Sequence, residues 1–230
     1  MKTLRLAILT LLAFAGTSVF SAGELQPNLT PLPAKDLKIE TRSDGNIYLR
    51  FSATNWNKGT GPLELIAGEI DSVNKKRNVY QRIYSDGGTF RDVLVGSFVW
   101  HEAHGHFHFE EFAKYILQPV NAPGGSERIS TKTTFCIIDT DRIDIHLLGA
   151  SKFAVYTTCN SDKQGMSVGW GDTYKYYLAG QEINITGLPN GDYNLTIEVD
   201  PKNLILETND SDNTSTVLIR LQNGRVKIVR

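Results

Sequence analysis

Gly191-Asp192-Tyr193-Asn194-Leu195-Thr196-Ile197-Glu198-Val199 decides the fold class. Tyr193, Leu195, Ile197 and Val199 alternate with polar residues, the period-two pattern of a strand with one face buried. Working outward, Gln181–Ile185 and Thr216–Leu221 repeat the pattern, and Gly187-Leu188-Pro189-Asn190 supplies a turn. Upstream, Lys38–Glu40 and Ile47–Ala53 flank Ser43-Asp44-Gly45-Asn46, a hairpin signal. Leu63–Ala67, Val79–Tyr84, Phe112–Gln118 and Thr133–Ile138 read as further strands. Asn55–Pro62 reads as a polar turn, Asn121–Ser126 as a loop, and Thr140–Ala150 is ambiguous. Pro27, Pro31 and Pro33 make Glu24 to Asp36 an extended arm. Short strands, Gly/Pro/Asn/Asp turns and no convincing amphipathic helix predict an all-β chain, an antiparallel β-sandwich with long loops and little helix.

The chain has 230 residues, 40% of them hydrophobic, and a formal net charge of -1. That size suits one sizeable domain, and the charge argues against a phosphate-binding surface and a nucleic-acid partner. Met1-Lys2-Thr3-Leu4-Arg5, an apolar run from Leu6 to about Phe20 and small residues at Ser21-Ala22-Gly23 read as a secretory signal peptide over 1–22, leaving 23–230 as a single domain. The apolar run is shorter than the roughly 20 residues of a spanning helix. A secreted or periplasmic protein with no membrane segment after cleavage is expected. Cys136 and Cys159 are expected to pair in such a compartment, stabilising the fold by about 3 kcal/mol; two free thiols or soft metal ligands are the alternative.

The chemistry concentrates in Trp100-His101-Glu102-Ala103-His104-Gly105-His106-Phe107-His108-Phe109-Glu110. On a strand, His104, His106 and His108 project from one face, with Ala103, Gly105, Phe107 and Phe109 on the other. Imidazole ligands without thiolate or carboxylate neighbours point to Cu(II) or Zn(II). His101 has the opposite parity and would need a bulge to join them.

These residues resemble the copper-binding segment of the lysyl oxidases. The likeness continues through Lys132-Thr133-Thr134-Phe135-Cys136-Ile137-Ile138-Asp139-Thr140, Gln164-Gly165-Met166-Ser167-Val168-Gly169 and Asp172-Thr173-Tyr174, over roughly residues 98–220. The resemblance implies Cu2+ on His104, His106 and His108, and a lysine tyrosylquinone made from Lys132 and Tyr174. It further implies oxidative deamination of primary amines, peptidyl lysine or small amines, to aldehydes, with O2 as oxidant and ammonia and hydrogen peroxide as products. Ala103 stands where vertebrate relatives carry a cysteine, which makes Cys136 the natural partner of Cys159. Asp172 reads equally as a turn cap or a proton acceptor. A copper-binding or copper-buffering module without catalysis is the alternative reading.

Glu207, Asn209, Asp210, Asp212 and Asn213 supply hard oxygen ligands suited to Ca2+, with Asn28-Leu29 standing where relatives bring an Asp-Leu backbone to the same place. An ordinary polar turn accounts for the composition equally well.

Overall fold

The computed structural model describes residues 23–102, 104–121 and 126–229; the expected signal peptide, Ala103 and most of the Asn121–Ser126 loop lie outside them. In chain order the strands are β1 Glu24–Leu25, β2 Leu29–Pro31, β3 Lys35–Thr41, β4 Ile47–Asn57, β5 Leu63–Asp71, β6 Lys76–Ser85, β7 Phe90–His101, β8 His106–Phe109 and β9 Ala113–Pro119. They continue as β10 Arg128–Ile129, β11 Asp141–Arg142, β12 Lys163–Met166, β13 Trp170–Tyr174, β14 Glu182–Asn184, β15 Gly191–Val199, β16 Thr214–Gln222 and β17 Arg225–Ile228. A single 3-10 turn at Asp210–Asp212 is the only helical element among the described residues, none of which forms a helix long and apolar enough to cross a membrane.

Three antiparallel sheets result. One runs β12-β5-β6-β7-β8, with β1 on β6; the second runs β10-β9-β15-β16-β17; the third runs β11-β13-β4-β14, with β2 and β3 also on β4. The alternation at Gly191–Val199 is realised as β15, whose Tyr193, Leu195, Ile197 and Val199 are buried. One apolar cluster draws Leu49 and Phe51 from β4, Leu65, Val79 and Phe98 from β5–β7, and Tyr115, Leu195 and Ile197 from β9 and β15. Each such side chain contributes about 1.5–3 kcal/mol when fully buried, so the cluster is what locks the three sheets together. The Phe51 and Tyr115 rings meet edge to face, centroids 5.0 Å apart.

Two expectations need correction. Asn55-Trp56-Asn57 is not a turn but the end of β4, because β2 pairs with it on one side and β13 on the other. The buried Asn57 amide caps the true turn by donating to Gly61 O at 2.9 Å. Thr133–Ile138 is not a strand. It touches its neighbour through one bridge, Phe109 to Phe135, and other amides find side-chain acceptors: Cys136 N donates to the Tyr174 hydroxyl and Ile137 N to Gln164 Oε1. Two cross-sheet acceptors thus replace a ladder. The sulfurs of Cys136 and Cys159 form the expected disulfide, with Cα atoms 5.5 Å apart.

Phe109 is fully buried, stacks edge to face on Phe98 at 6.2 Å and carries the bridge to Phe135. Phe109→Ala is expected to cost about 3–5 kcal/mol in urea unfolding, the range for a buried aromatic truncated without collapse of its site.

Candidate metal centre and lysine–tyrosine pair

The histidines sit on a hairpin rather than a single strand. His101 ends β7 and lies directly opposite His106 of β8. The turn between them is closed by His104 N and Gly105 N, both donating to His101 O, and Gly105 takes the left-handed φ of +65° that the turn requires. His106 and His108 follow the expected alternation on β8, whereas His104 reaches the cluster from the turn. His101 therefore needs no bulge: cross-strand pairing, not parity along one strand, brings it in. Its pairing partner is what a reading along one strand could not supply.

The ring nitrogens converge on His108 Nε2, with His106 Nε2 at 2.9 Å and His104 Nδ1 at 3.2 Å. Ligand nitrogens of His101, His104 and His108 also lie within 4.8 Å of one another, the one such grouping among the described residues. Burial holds every one of these imidazoles below the ordinary histidine range, reinforced by the charge of Lys132, and pushes His108 down to about 2. Neutral imidazoles crowded to hydrogen-bond distance form an all-nitrogen donor set that fits a borderline transition metal such as Cu(II). His108 is fully buried, and its Nδ1 lies 3.1 Å from Thr134 Oγ1, which fixes the ring so that Nε2 faces the cluster.

Thr134 belongs to the irregular segment that carries Lys132. That segment is tied to β8 by Phe109 N to Phe135 O at 2.7 Å and Phe135 N to Phe109 O at 3.0 Å, and to the β8–β9 connection by Phe112 N to Thr133 O at 2.9 Å. Gln164, fully buried on β12, adds a brace by donating to Phe107 O at 2.8 Å while accepting from Ile137 N. Lys132 is 8% exposed, and its Nζ sits 4.9 Å from the Phe135 ring centroid and 5.3 Å from that of Tyr174. Its ammonium has no hydrogen-bond partner among the described residues. Burial lowers its pKa from the usual lysine value to about 8. Gly180, at φ +75°, closes over the lysine stem; a Cβ there would come within 3.1 Å of Lys132 Cδ.

Tyr174 ends β13, its ring edge to face with Phe135 at 4.8 Å. Its hydroxyl donates to Cys136 O at 2.8 Å and accepts from Cys136 N at 2.9 Å, and burial raises its pKa well above the ordinary tyrosine value. A cavity of about 310 Å³ opens beside it, lined by Ile138, Leu178 and the half-cystines together with His104, His106 and Asp172. The histidines read from their spacing and the tyrosine implied by the family resemblance, 70 positions apart between His104 and Tyr174, line one cavity.

The oxygen-rich segment lies apart from this centre. Glu207 accepts from Leu29 N and from Asn213 Nδ2, and burial raises its carboxyl to about 8. Asn213 Oδ1 is buried with no partner among the described residues, and Asp212 pairs with Lys58 Nζ at 2.5 Å. Asn209 caps the 3-10 turn by accepting from Ser211 N.

Because Thr134 orients His108, Thr134→Val is expected to weaken copper affinity about 10- to 100-fold in competition titrations while leaving the thermal midpoint close to that of the parent.

The lysyl oxidase family profile matches residues 82–230. The chain is 31% identical over 225 residues to lysyl oxidase homolog 3A of Danio rerio, covering 90% of this chain and 28% of that protein. It is 34% identical over 123 residues to homolog 3B of Danio rerio and 30% over 131 residues to homolog 2 of Gallus gallus, covering 53% and 56% of this chain. It spans less than a third of the length of each of these relatives. A histidine hairpin, a buried lysine against a partly buried tyrosine and this match to most of the chain together place it in the lysyl oxidase family.

Proposed function

We propose that this chain is an exported copper-dependent amine oxidase in which Lys132 and Tyr174 become joined as lysine tyrosylquinone, acting on primary amines, peptidyl lysine or small amines. The observation that carries the reading is Lys132 Nζ, which lies over the Tyr174 ring beside the imidazole cluster with no hydrogen-bond partner among the described residues. His104, His106 and His108 would hold the copper, with His101 adjacent to them. Copper with O2 would supply oxidation of the tyrosine ring, and the matured ring would take two electrons from the amine and return them to O2 as peroxide, releasing aldehyde and ammonia.

The chain's own part is positional and protonic. Burial favours the neutral amine of Lys132, the form with a lone pair available for attack. The two hydrogen bonds to Cys136 hold the Tyr174 ring in place before modification. The apolar cavity walls limit water at the ring and leave room for the alkyl part of an amine.

Those same Cys136 hydrogen bonds favour a second reading, a copper-binding module in which Tyr174 is a satisfied structural tyrosine. Tyr174→Phe separates the two. The oxidase reading expects copper stoichiometry to be retained and amine-dependent peroxide release to vanish; peroxide release at the parent rate from the variant would sink it, and none from the copper-loaded parent would favour the module.

We further propose Ca2+ at Glu207, Asn209, Asp212 and Asn213, supported by the orphaned buried Asn213 Oδ1 and the buried Glu207 carboxyl. Calcium at 100 times its dissociation constant would add about 2.7 kcal/mol of stability. Calorimetry with and without Ca2+ should show that gain in the parent and none in Glu207→Gln; equal melting with EGTA and Ca2+ would show that Lys58 alone neutralises the cluster.

A further inference from the structure

Asp172 stands two residues before Tyr174 on β13, so the two side chains leave the same face of the strand. Both line the 310 Å³ cavity, and Asp172 is the only carboxylate among the described residues that do. It is 2% exposed, and its Oδ2 has no hydrogen-bond partner among the described residues. A structural aspartate looks different, as Asp139 shows. Its buried carboxylate accepts from Val155 N, Tyr156 N, Ser167 N and Ser167 Oγ at 2.7–3.2 Å. Three backbone amides and one hydroxyl satisfy Asp139; Asp172 has the Ile138 amide directed at it and one oxygen without a partner among the described residues. Leaving such an oxygen unsatisfied costs about 1–3 kcal/mol, a cost that packing alone does not explain. Asp172 is also no turn cap, since it lies mid-strand opposite Asn55 of β4.

We propose that Asp172 is the catalytic base that takes the proton from the amine-bearing carbon of the substrate, an assignment that rests on the amine-oxidase reading. With the amine nitrogen engaged at the matured Tyr174 ring, the adjacent C–H bond breaks and its proton moves to Asp172 Oδ2. The electron pair leaves toward the ring, which is reduced by two electrons; water releases the aldehyde, O2 takes the two electrons back as hydrogen peroxide, and a second water frees the nitrogen from the ring as ammonia. Burial raises the carboxyl well above its ordinary range, opposed by the Ile138 amide and the charge of Lys132, and a more basic carboxylate suits abstraction from carbon.

The test compares the copper-loaded, aerobically matured parent with Asp172→Asn and Asp172→Ala. Two readouts are needed: covalent labelling by phenylhydrazine, which condenses with a ring carbonyl without any C–H cleavage, and kcat for benzylamine and its α-dideuterated form. Asp172→Asn is expected to label as fully as the parent while kcat falls about 10²- to 10⁴-fold with a larger deuterium effect. In Asp172→Ala, added formate should restore turnover by occupying the vacated space, and it should do nothing for Asp172→Asn. Formate rescue also decides the matter if the Asn variant does not fold. Turnover of Asp172→Asn within about fivefold of the parent, loss of its labelling, or an Ala variant that formate cannot rescue would overturn the assignment. A parent that neither labels nor turns over would overturn the amine-oxidase reading itself.

Discussion

The paired backbone hydrogen bonds between Phe109 and Phe135 are the constraint on which the site depends. One partner follows His108 on β8; the other belongs to an irregular segment with little regular pairing of its own. Once joined, Thr134 can reach His108, Lys132 hangs over the Phe135 and Tyr174 rings, and Cys136 offers its backbone to the Tyr174 hydroxyl. The disulfide to Cys159 anchors the far side of the same segment. The metal ligands and the lysine–tyrosine pair are therefore positioned by one short stretch of chain, and distortion at Phe135 would be felt at both.

The energetics around that stretch run against stability. Lys132 Nζ, Asp172 Oδ2 and Gln181 Nε2 are buried without partners among the described residues, and burial has pushed the lysine down and the aspartate up. Each unsatisfied group costs about 1–3 kcal/mol, and a protein built only to fold would pair or remove it. Such conflicts cluster at functional sites, where reactive groups must keep a free lone pair or proton. The surrounding core supplies the compensation. Phe51, Phe98, Phe109 and Tyr115 are all fully buried within one cluster that spans the three sheets.

Much of this was legible in the sequence for identifiable reasons. Period-two alternation is a local property, so β15 and the His106/His108 pair on β8 could be read directly. The Cys136–Cys159 bridge was readable because the chain carries two cysteines, and the disulfide joins them. What escaped depends on partners far away in sequence. His101 joins the cluster through cross-strand register, Asn55–Asn57 becomes strand because β2 and β13 flank it, and Thr133–Ile138 looks like a strand but hydrogen-bonds to Tyr174 and Gln164 instead. Lys132 and Tyr174 could be named only through family resemblance, since a lone lysine and a lone tyrosine carry no local signal of their meeting. Asp172 reads equally as a turn cap or a proton acceptor in sequence; its place in the middle of β13, opposite Asn55, depends on pairing that the sequence does not carry.

The central claim is that Lys132 and Tyr174 are precursors of one covalent cofactor. Peptide mass mapping after aerobic loading with Cu(II) tests it most directly. The peptides carrying Lys132 and Tyr174 are expected as a single linked species; recovery of both as separate, unmodified peptides at full copper occupancy would show that no such cofactor forms.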